Sequence, residues 1–519
     1  MIFHPEEEKP IGTKIIRNAA SGALRVLLVA PVPFLLTPLI LHKVGAQGYG
    51  TWAVLMAISN LSSLSDIGLL GTLSKYVAEY HAKQDLAALN RLMGTGLAVF
   101  GLIAVLAVSL LWLASDVAVN FLFRGSAAAP AELRWLFSGT LILVGLNILT
   151  FPLSSVTSGL QRLDLTNLLT SVNVVGGAVM GAAGLFAGKG VRGLLYGNIF
   201  SAGLTLALYV GLVRRLLPHV RLSPWQADAQ EAKKVFRFSS QLYVTQAAVA
   251  IQNQFEKLVL AFFVGVSAAG WYDIASDIAA KIRNAVSVLL NPILPAASEL
   301  NARGDRRKLI DLFYRAHKYL ACVAVPLFFY FVTVSRSFVN LWIGPALGFV
   351  ATPFAVLLLV NLLNLATAPG FMIFAGQGRL RPGIYSGLLG IGLNVPLSIG
   401  LIYFFGFRGA VIGTSISMVT ASFFFMYLFH RLTGNSAGKL VKEAYFKPLL
   451  CVAVLLTAKF LFFRASLHTW LQLFLGGVIF LALYTAGLLL TKFFDRYDWM
   501  KARSALPIAR INRRIVSSA

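Results

Sequence analysis

Long apolar stretches alternate with short polar segments along the whole chain. Most stretches hold about 20 residues, enough for a helix to cross roughly 30 Å of hydrocarbon. The pattern predicts an all-α polytopic membrane protein with about fourteen transmembrane helices. The predicted spans are 19–41, 50–73, 92–113, 133–158, 165–187, 193–213, 238–264, 271–294, 319–334, 353–375, 384–405, 410–429, 449–463 and 471–490.

An internal repeat organises the chain. The pattern of residues 45–92 returns at 265–312, at a spacing of 220 residues, with the same order of turn glycine, apolar span, acidic residue and polar turn. The equivalent pairs include Gly45 and Gly265, Gly50 and Gly270, Glu79 and Glu299, and Asp85 and Asp305. The repeat predicts two six-helix lobes, related by a pseudo-two-fold axis along the membrane normal, with a cleft between them.

The repeat also predicts the division of the chain. It gives a cytoplasmic N-terminal tail, a first lobe, a cytoplasmic amphipathic linker, a second lobe, and a last part with two extra spans and a basic cytoplasmic tail. These five parts cover residues 1–14, 15–213, 214–236, 237–433 and 434–519.

The distribution of charge gives the expected orientation. The 519 residues carry 45 Lys and Arg against 20 Asp and Glu, and 57% of them are hydrophobic. Most of the basic residues fall in the two termini and in every second loop. This bias predicts that both termini are cytoplasmic, whereas nucleic-acid binding is disfavoured because the basic residues sit at helix ends. Cys322 and Cys451 lie in apolar spans without metal-ligand spacing, so we expect no metal or other cofactor.

Charged side chains inside predicted spans are the candidate site residues, because each costs about 3 kcal/mol to insert on biological scales. Asp273, Asp277 and Lys281 follow one another at one-turn intervals and therefore share a helix face. Two interpretations remain open, mutual neutralisation and a functional role; Arg25 and Lys459 could also reach the interface by snorkelling. The expected substrate-binding cations are Arg25, Lys257, Lys281 and Arg283, and the carboxylates expected to couple ions are Glu256, Asp273 and Asp277.

The glycine and aromatic patterns carry a family resemblance. The segments LHKVGAQGYGTWAVLMAISNLSSLSDIGLLGTLSKYVAEY, NQFEKLVLAFFVGVSAAGWYDIA and SFVNLWIGP resemble the polysaccharide transporter (Wzx-type flippase) branch of the MOP superfamily. The resemblance implies a fourteen-helix MATE-like transporter of undecaprenyl-diphosphate-linked oligosaccharide in the bacterial inner membrane. A glycan polymerase and a chain-length regulator would be its partners. The chain departs from the pattern where the family often has Asp, because Glu256 and Lys257 stand there.

Three functions remain as alternatives at this stage. A lipid-linked oligosaccharide flippase fits the surplus of cations among the candidate residues. A MATE-like antiporter for cationic drugs would favour net acidic groups in its cleft. A membrane-embedded glycan polymerase would be expected to have a large external loop with catalytic groups, and the sequence has none. The residues therefore favour transport over catalysis.

Overall fold

The computed structural model describes residues 11–65, 69–123, 126, 128–462 and 467–505. These residues are almost entirely helical, which confirms the predicted all-α class. The helices are, in chain order, α1 (Ile11–Val29), α2 (Pro31–Asn60), α3 (Leu69–Ala82), α4 (Leu86–Leu113), α5 (Ser115–Leu122), α6 (Pro130–Gly159), α7 (Leu163–Phe186), α8 (Gly190–Leu216), α9 (Ala229–Phe263), α10 (Val266–Ser287), α11 (Ile293–Ala302), α12 (Arg306–Ile343), α13 (Ala351–Leu365), α14 (Ala368–Gly376), α15 (Arg381–Thr433), α16 (Ala437–Leu440), α17 (Phe446–Phe462), α18 (Trp470–Leu490) and α19 (Arg496–Ala505).

Within the described residues, ten helical segments are long and apolar enough to cross a membrane. Two of them, Ala20–Ser65 and Arg381–Thr433, each cover two of the predicted spans. Helices α9 and α10, which carry six of the seven candidate charges between them, fall outside the ten. The chain is thus a polytopic membrane protein, while the count of fourteen spans and the symmetry between lobes stay predictions.

The repeat glycines mark real backbone turns. Gly45 interrupts α2 with φ 69°, and its equivalent Gly265 separates α9 from α10 with φ 117°. A residue with a Cβ is strained at such angles, so glycine is required locally. Gly406 breaks α15 in the same way, with φ 56°. Each break falls between two spans that the hydropathy pattern predicts as separate.

The polar turns of the repeat begin helices in the same manner. Asp85 accepts a hydrogen bond from the backbone N–H of Ala88 at 2.8 Å, and Asp305 accepts one from that of Lys308 at 3.0 Å. Each aspartate is therefore an N-cap, of α4 and α12 respectively. The two equivalent residues do the same local job, as expected for copies of one unit.

By their contacts the residues form two units. The first unit holds residues 1–278 and 387–418. Its core joins α3, α4, α6 and α8, with Leu89, Ile148 and Val213 fully buried. Helices α7 and α8 approach closely because glycines face each other at Gly184 and Gly193, as is common between membrane helices. The lobe boundaries expected from the repeat stay a prediction.

The predicted linker, residues 214–236, includes the end of α8 and the beginning of α9 and stays a prediction. Helix α8 continues to Leu216 and α9 begins at Ala229, so that a short 3₁₀ turn, Pro224–Gln226, is the helical part between them. Polar side chains of α4 hold this connection by hydrogen bonds to its backbone. Asn90 accepts a hydrogen bond from the Arg221 backbone N–H at 2.8 Å, and Thr95 accepts one from that of Asp228 at 2.9 Å.

The second unit holds residues 279–386 and 419–519. One of its cores lies between α12, α17 and α18, around Val325, Val452 and Tyr484. Helix α19 docks on α12 through Asp498, which pairs with Lys318 at 2.5 Å and accepts a hydrogen bond from Tyr319 at 2.6 Å. The last described helix is thus held by charged and aromatic contacts.

Candidate functional site

The first unit contains a cavity of about 200 Å³ among the candidate charges. Both segments of α2 contribute to its wall because the Gly45 break lies between them. Helices α9 and α10 supply the charged groups. The lining residues are Pro33, Leu36, Thr37, Ile40, Tyr49, Trp52, Ala53, Met56, Asn60, Lys257, Asp273 and Asp277.

Asp273 makes two strong contacts at this cavity. Its Oδ1 lies 2.5 Å from Nζ of Lys257, and its Oδ2 accepts a hydrogen bond from the Tyr49 hydroxyl at 2.8 Å. The side chains of Lys257 and Asp273 are only 12% and 18% exposed. A largely buried ion pair of this kind needs further hydrogen bonds to offset its desolvation, and the Tyr49 hydroxyl supplies one. The pair and the phenol therefore act as one polar unit.

Glu256 takes part in a different polar cluster, although it precedes Lys257 directly. Its Oε1 accepts hydrogen bonds from Asn394 at 2.7 Å and from Thr414 at 3.1 Å. The Thr414 hydroxyl also lies 2.9 Å from the hydroxyl of Tyr272. Consecutive residues on a helix point about 100° apart, so α9 can supply two separate polar groups.

Two buried oxygens of α15, Asn394 Oδ1 and Ser398 Oγ, make no hydrogen bond among the described residues. Asn394 contacts Glu256 through its Nδ2, and both Asn394 and Ser398 are 0% exposed. Native proteins pair almost all such atoms, and an exception commonly marks a bound water or ion. A carboxylate, an amide oxygen and hydroxyls are hard oxygen ligands. The cluster can therefore hold a proton or a small hard cation.

The candidate residues do not all meet at one place. Lys257, Asp273 and Asp277 line the cavity, whereas Lys281 and Arg283 belong to the second unit. Arg25 is exposed and is not among the lining residues. The described lining thus holds one cation and two carboxylates. The surplus of cations expected from the sequence is not a property of this cavity.

Arg283 has its own support in the second unit. Its Nη1 donates a hydrogen bond to Asn364 Oδ1 at 3.1 Å, and Asn364 Nδ2 donates to the Ser422 hydroxyl at 3.2 Å. Arg283 Nη2 also donates to Asn284 Oδ1 at 3.4 Å, so the two amides hold the guanidinium while its further N–H groups can meet an anion. Asn364 is therefore a positioning residue for Arg283.

By helix periodicity, Arg25 shares a face of α1 with Asn18 and Ser21. Asn18 and Ser21, four to seven residues earlier, bond residues at and beside α7: Asn18 Nδ2 donates to the Gln161 carbonyl at 3.2 Å, and Ser21 accepts from Asn167 at 3.0 Å. Residues spaced by three, four and seven share a helix face. The neighbouring leucines of α1 are exposed, as expected for a lipid-facing surface.

Sequence reasoning missed several polar partners of the candidate charges. Tyr49, Asn364, Asn394 and Thr414 are uncharged, and each contacts its charged partner over at least 81 positions of the chain. No local pattern marks such pairs. The one sequence signal near Tyr49 is the repeat glycine Gly50 that follows it.

Comparisons with known proteins agree with this fold. A family described as "Polysaccharide biosynthesis protein" matches residues 134–346. The protein named "Probable flippase AglR" from Haloferax volcanii is 21% identical over 396 residues, which are 75% of this chain and 78% of that protein. By their printed names, the family belongs to polysaccharide biosynthesis and the relative is a probable flippase.

Comparison with solved structures identifies the fold. "Lipid II flippase MurJ, inward closed conformation" matches with a TM-score of 0.71 over 91% of this chain and 98% of that chain, at 12% identity. An inward-facing multidrug resistance MATE family transporter of the MOP superfamily matches with a TM-score of 0.58 over 78% of this chain and 94% of that chain, at 16% identity. At these identities the structures show the fold alone. The chain therefore has the MATE-like fold that MurJ and the MATE transporter share, and its sequence is similar to a polysaccharide biosynthesis family and to a probable flippase, as its residues had indicated.

Proposed function

We propose that the protein is a flippase that moves undecaprenyl-diphosphate-linked oligosaccharide from the cytoplasmic to the periplasmic leaflet of a bacterial inner membrane by alternating access. The observation that carries this proposal is the similarity to a probable flippase over three quarters of the chain. The polar cavity of the first unit adds to it, because its carboxylates, amide and aromatic rings can accept hydrogen bonds from sugar hydroxyls and pack against sugar rings.

Lys257 would bind the diphosphate by exchanging its partner. In the present arrangement its ammonium is neutralised by Asp273. An arriving diphosphate competes for the ammonium, while Asp273 keeps the hydrogen bond of Tyr49 and remains partly stabilised. Arg25, Lys281 and Arg283 would hold the phosphates at other stages of transport. Part of the binding free energy would then break the Lys257–Asp273 pair. This would couple recognition of the diphosphate to a conformational change.

Two sources of energy can drive such export. Each negative charge that leaves across an inside-negative membrane gains about 2.3 kcal/mol per 100 mV, so the potential alone could move a diphosphate outward. Alternatively, Glu256 could return a proton or a cation in each cycle, since its oxygen cluster suits either one. Asp273 and Asp277 are the further carboxylates proposed for coupling.

The cellular setting follows from the charge distribution and the family resemblance. Both termini and the connection after α8 would be cytoplasmic, and a glycan polymerase with a chain-length regulator would take the exported unit. A phosphatase reporter after Ala519, or labelling of a cysteine at Gln226 by an impermeant reagent in intact cells, measures the orientation. Phosphatase activity or labelling would contradict it.

Reconstituted proteoliposomes test the proposed function directly. A fluorescent undecaprenyl-diphosphate oligosaccharide becomes accessible to a membrane-impermeant quencher only after it crosses. We expect the intact protein to speed the crossing and Lys257→Met to slow it at equal protein density. A rate equal to that of protein-free vesicles would contradict the flippase. An imposed potential, or a pH or Na⁺ gradient, that speeds the crossing then identifies the driving force. Glu256→Gln should abolish only the effect of the gradient. The exposed Glu299→Gln is the control.

The charge of the cavity favours a second candidate. One cation and two carboxylates among the described lining residues leave a formal surplus of negative charge, which suits a cationic ligand. A MATE-like antiporter for organic cations would use Asp277 for this purpose. Export of a cationic dye by the same proteoliposomes, lost in Asp277→Asn but kept in Lys257→Met, would support this candidate over the flippase.

A further inference from the structure

A second cavity, of about 300 Å³, lies in the second unit, and its described lining includes none of the seven candidate charges. It opens where four helices end or begin: after α11, before α12, after α14 and at the end of α15. It therefore lies at one end of the helix bundle. The lining residues are Asn301, Gly304, Arg306, Leu309, Ile310, Phe313, Ile373, Gln377, Arg379, Phe429, Leu432, Thr433 and Asn435.

The charge of this cavity is positive. Arg306 and Arg379 line it, and its described lining includes no carboxylate. The three nearest carboxylates along the chain are already paired: Asp305 with Lys308 at 2.7 Å, Asp311 with Arg315 at 2.8 Å and Glu299 with Arg303 at 2.5 Å. Arg306 uses one N–H group on the Thr433 carbonyl at 3.1 Å and keeps others for an anion. The cavity is thus suited to a phosphate group.

Gln377 adds a requirement for a hydrogen-bond donor. Its Oε1 is buried and has no partner among the described residues. A buried amide oxygen without a partner carries a desolvation cost that a bound hydroxyl or ammonium would remove. The expected ligand therefore combines a phosphate with a donor group.

The rest of the wall is apolar. Phe313 and Phe429 stack with ring centroids 4.4 Å apart and are 1% exposed, and Ile373 is 3% exposed. Leu432 also lines the cavity but is 53% exposed, and Leu380, next to Arg379, is 44% exposed. Exposed leucines at the end of a membrane-spanning segment suit contact with an acyl chain. An acyl chain at the mouth would cover them, which favours a lipid over a soluble phosphate.

We propose that this cavity binds the head group of an anionic phospholipid, with the phosphate between Arg306 and Arg379, a head-group hydroxyl donating to Gln377, and the upper acyl chain along Leu432. The bound lipid would fix the ends of α11, α12, α14 and α15 together. The site is independent of the transported substrate, so its test does not depend on the proposed function.

Native mass spectrometry of the full-length protein in detergent measures the binding. The probes are phosphatidylglycerol, phosphatidylmethanol, which has the same charge but no hydroxyl, and phosphatidylcholine. We expect the affinity for phosphatidylglycerol to fall about tenfold in Arg306→Gln and in Arg379→Gln, the loss of one charge-assisted hydrogen bond. The neighbouring exposed arginines, in Arg307→Gln and Arg381→Gln, are matched controls and should leave the affinity unchanged.

The contact to Gln377 has its own measurement. We expect the intact protein to prefer phosphatidylglycerol over phosphatidylmethanol and Gln377→Leu to lose this preference. Equal binding of the two lipids by the intact protein would overturn the hydroxyl contact. Equal binding of phosphatidylcholine, or equal losses in the control variants, would overturn the site.

Water-soluble competitors distinguish the source of the phosphate. Glycerol 1-phosphate and inorganic phosphate should displace the lipid weakly, because neither reaches the apolar wall. If either one displaced the lipid as effectively as phosphatidylglycerol does, the ligand of the cavity would be a soluble phosphate. That result would overturn the proposal. Arg306→Gln removes the bond to Thr433, so thermal unfolding of each variant is recorded, and Arg379→Gln gives the same test without that loss.

Discussion

Gly50 and Gly270, which the internal repeat places at equivalent positions 220 residues apart, pack directly against each other. A Cβ on Gly270 would lie 2.9 Å from the Cα of Gly50, and a Cβ on Gly50 would lie 2.0 Å from the carbonyl oxygen of Val266. Two backbones can approach this closely only where both lack side chains. Tyr49, beside this contact, is thereby brought to Asp273 on α10.

Substitution of either glycine should destabilise the protein. Gly50→Ala places a methyl group on backbone atoms that cannot rotate away, so we expect a loss of about 1–3 kcal/mol or more. The measurement is the thermal unfolding midpoint in detergent, together with abundance in the membrane. Gly101→Ala is the matched control, since a Cβ there meets nothing within 4 Å. An unchanged thermal unfolding midpoint in Gly50→Ala would contradict this expectation. It would show that α2 and α10 can move apart without loss of stability.

The Lys257–Asp273 pair should show strong coupling in a double-mutant cycle. Lys257→Met and Asp273→Asn each leave one buried charge unpaired, which costs about 3–5 kcal/mol. The double variant removes both charges, so we expect it to recover most of the stability while transport stays low. Unfolding of all four proteins measures the coupling, with Lys83 and Glu79, an exposed pair, as the control cycle. Additive losses would mean that the pair contributes little.

Asn364 should act on transport through Arg283. Asn364→Ala removes the acceptor that fixes the guanidinium, whereas Asn364→Asp keeps one. We expect Asn364→Ala to lower flipping less than Arg283→Ala, Asn364→Asp to restore it, and the double alanine variant to match Arg283→Ala alone. Losses that add in the double variant would instead assign Asn364 an independent role. Full activity in Arg283→Ala would leave packing as the explanation for that arginine.

Docking of α19 should depend on pH through Asp495. Burial would raise the pKa of this carboxyl, but the backbone N–H of Asp498 and the charges of Lys318 and Arg315 outweigh it and hold the pKa below the ordinary 3.8. A folded pKa below the unfolded value stabilises docking above pH 3.8. This contribution is lost as the pH falls through the folded pKa.

Hydrogen exchange of the α19 backbone measures that docking. We expect protection at pH 5 to 7 and increasing exchange, relative to the intrinsic rate, below about pH 4. Asp495→Asn should exchange faster at neutral pH, whereas Glu443→Gln, an exposed carboxylate of the same unit, should not. Constant protection down to pH 3 would show that Asp495 contributes nothing to docking.

Local chemistry explains what the sequence by itself determined. The spans follow from apolar length, and the turns at Gly45 and Gly265 follow from residues that need no partner elsewhere. Asp85 and Asp305 cap the helices that begin directly after them. The resemblance to transporters also rests on local features, because each resembling segment is a pattern of glycine and aromatic residues within one stretch of the chain. None of these features requires knowing which helices touch.

The tertiary structure decided how the charges are satisfied. Helix periodicity placed Asp273, Asp277 and Lys281 on one face, but the ion pair of Asp273 is with Lys257 on α9, and its second oxygen bonds Tyr49 on α2. Glu256 and Lys257 are neighbours in sequence yet join separate clusters. Helix packing selects these partners, which for Glu256 lie 138 and 158 positions away along the chain, and uncharged partners such as Asn394 carry no signal of their own. Long-range packing, unlike a turn or a cap, has no local pattern, so the site had to be read from the fold.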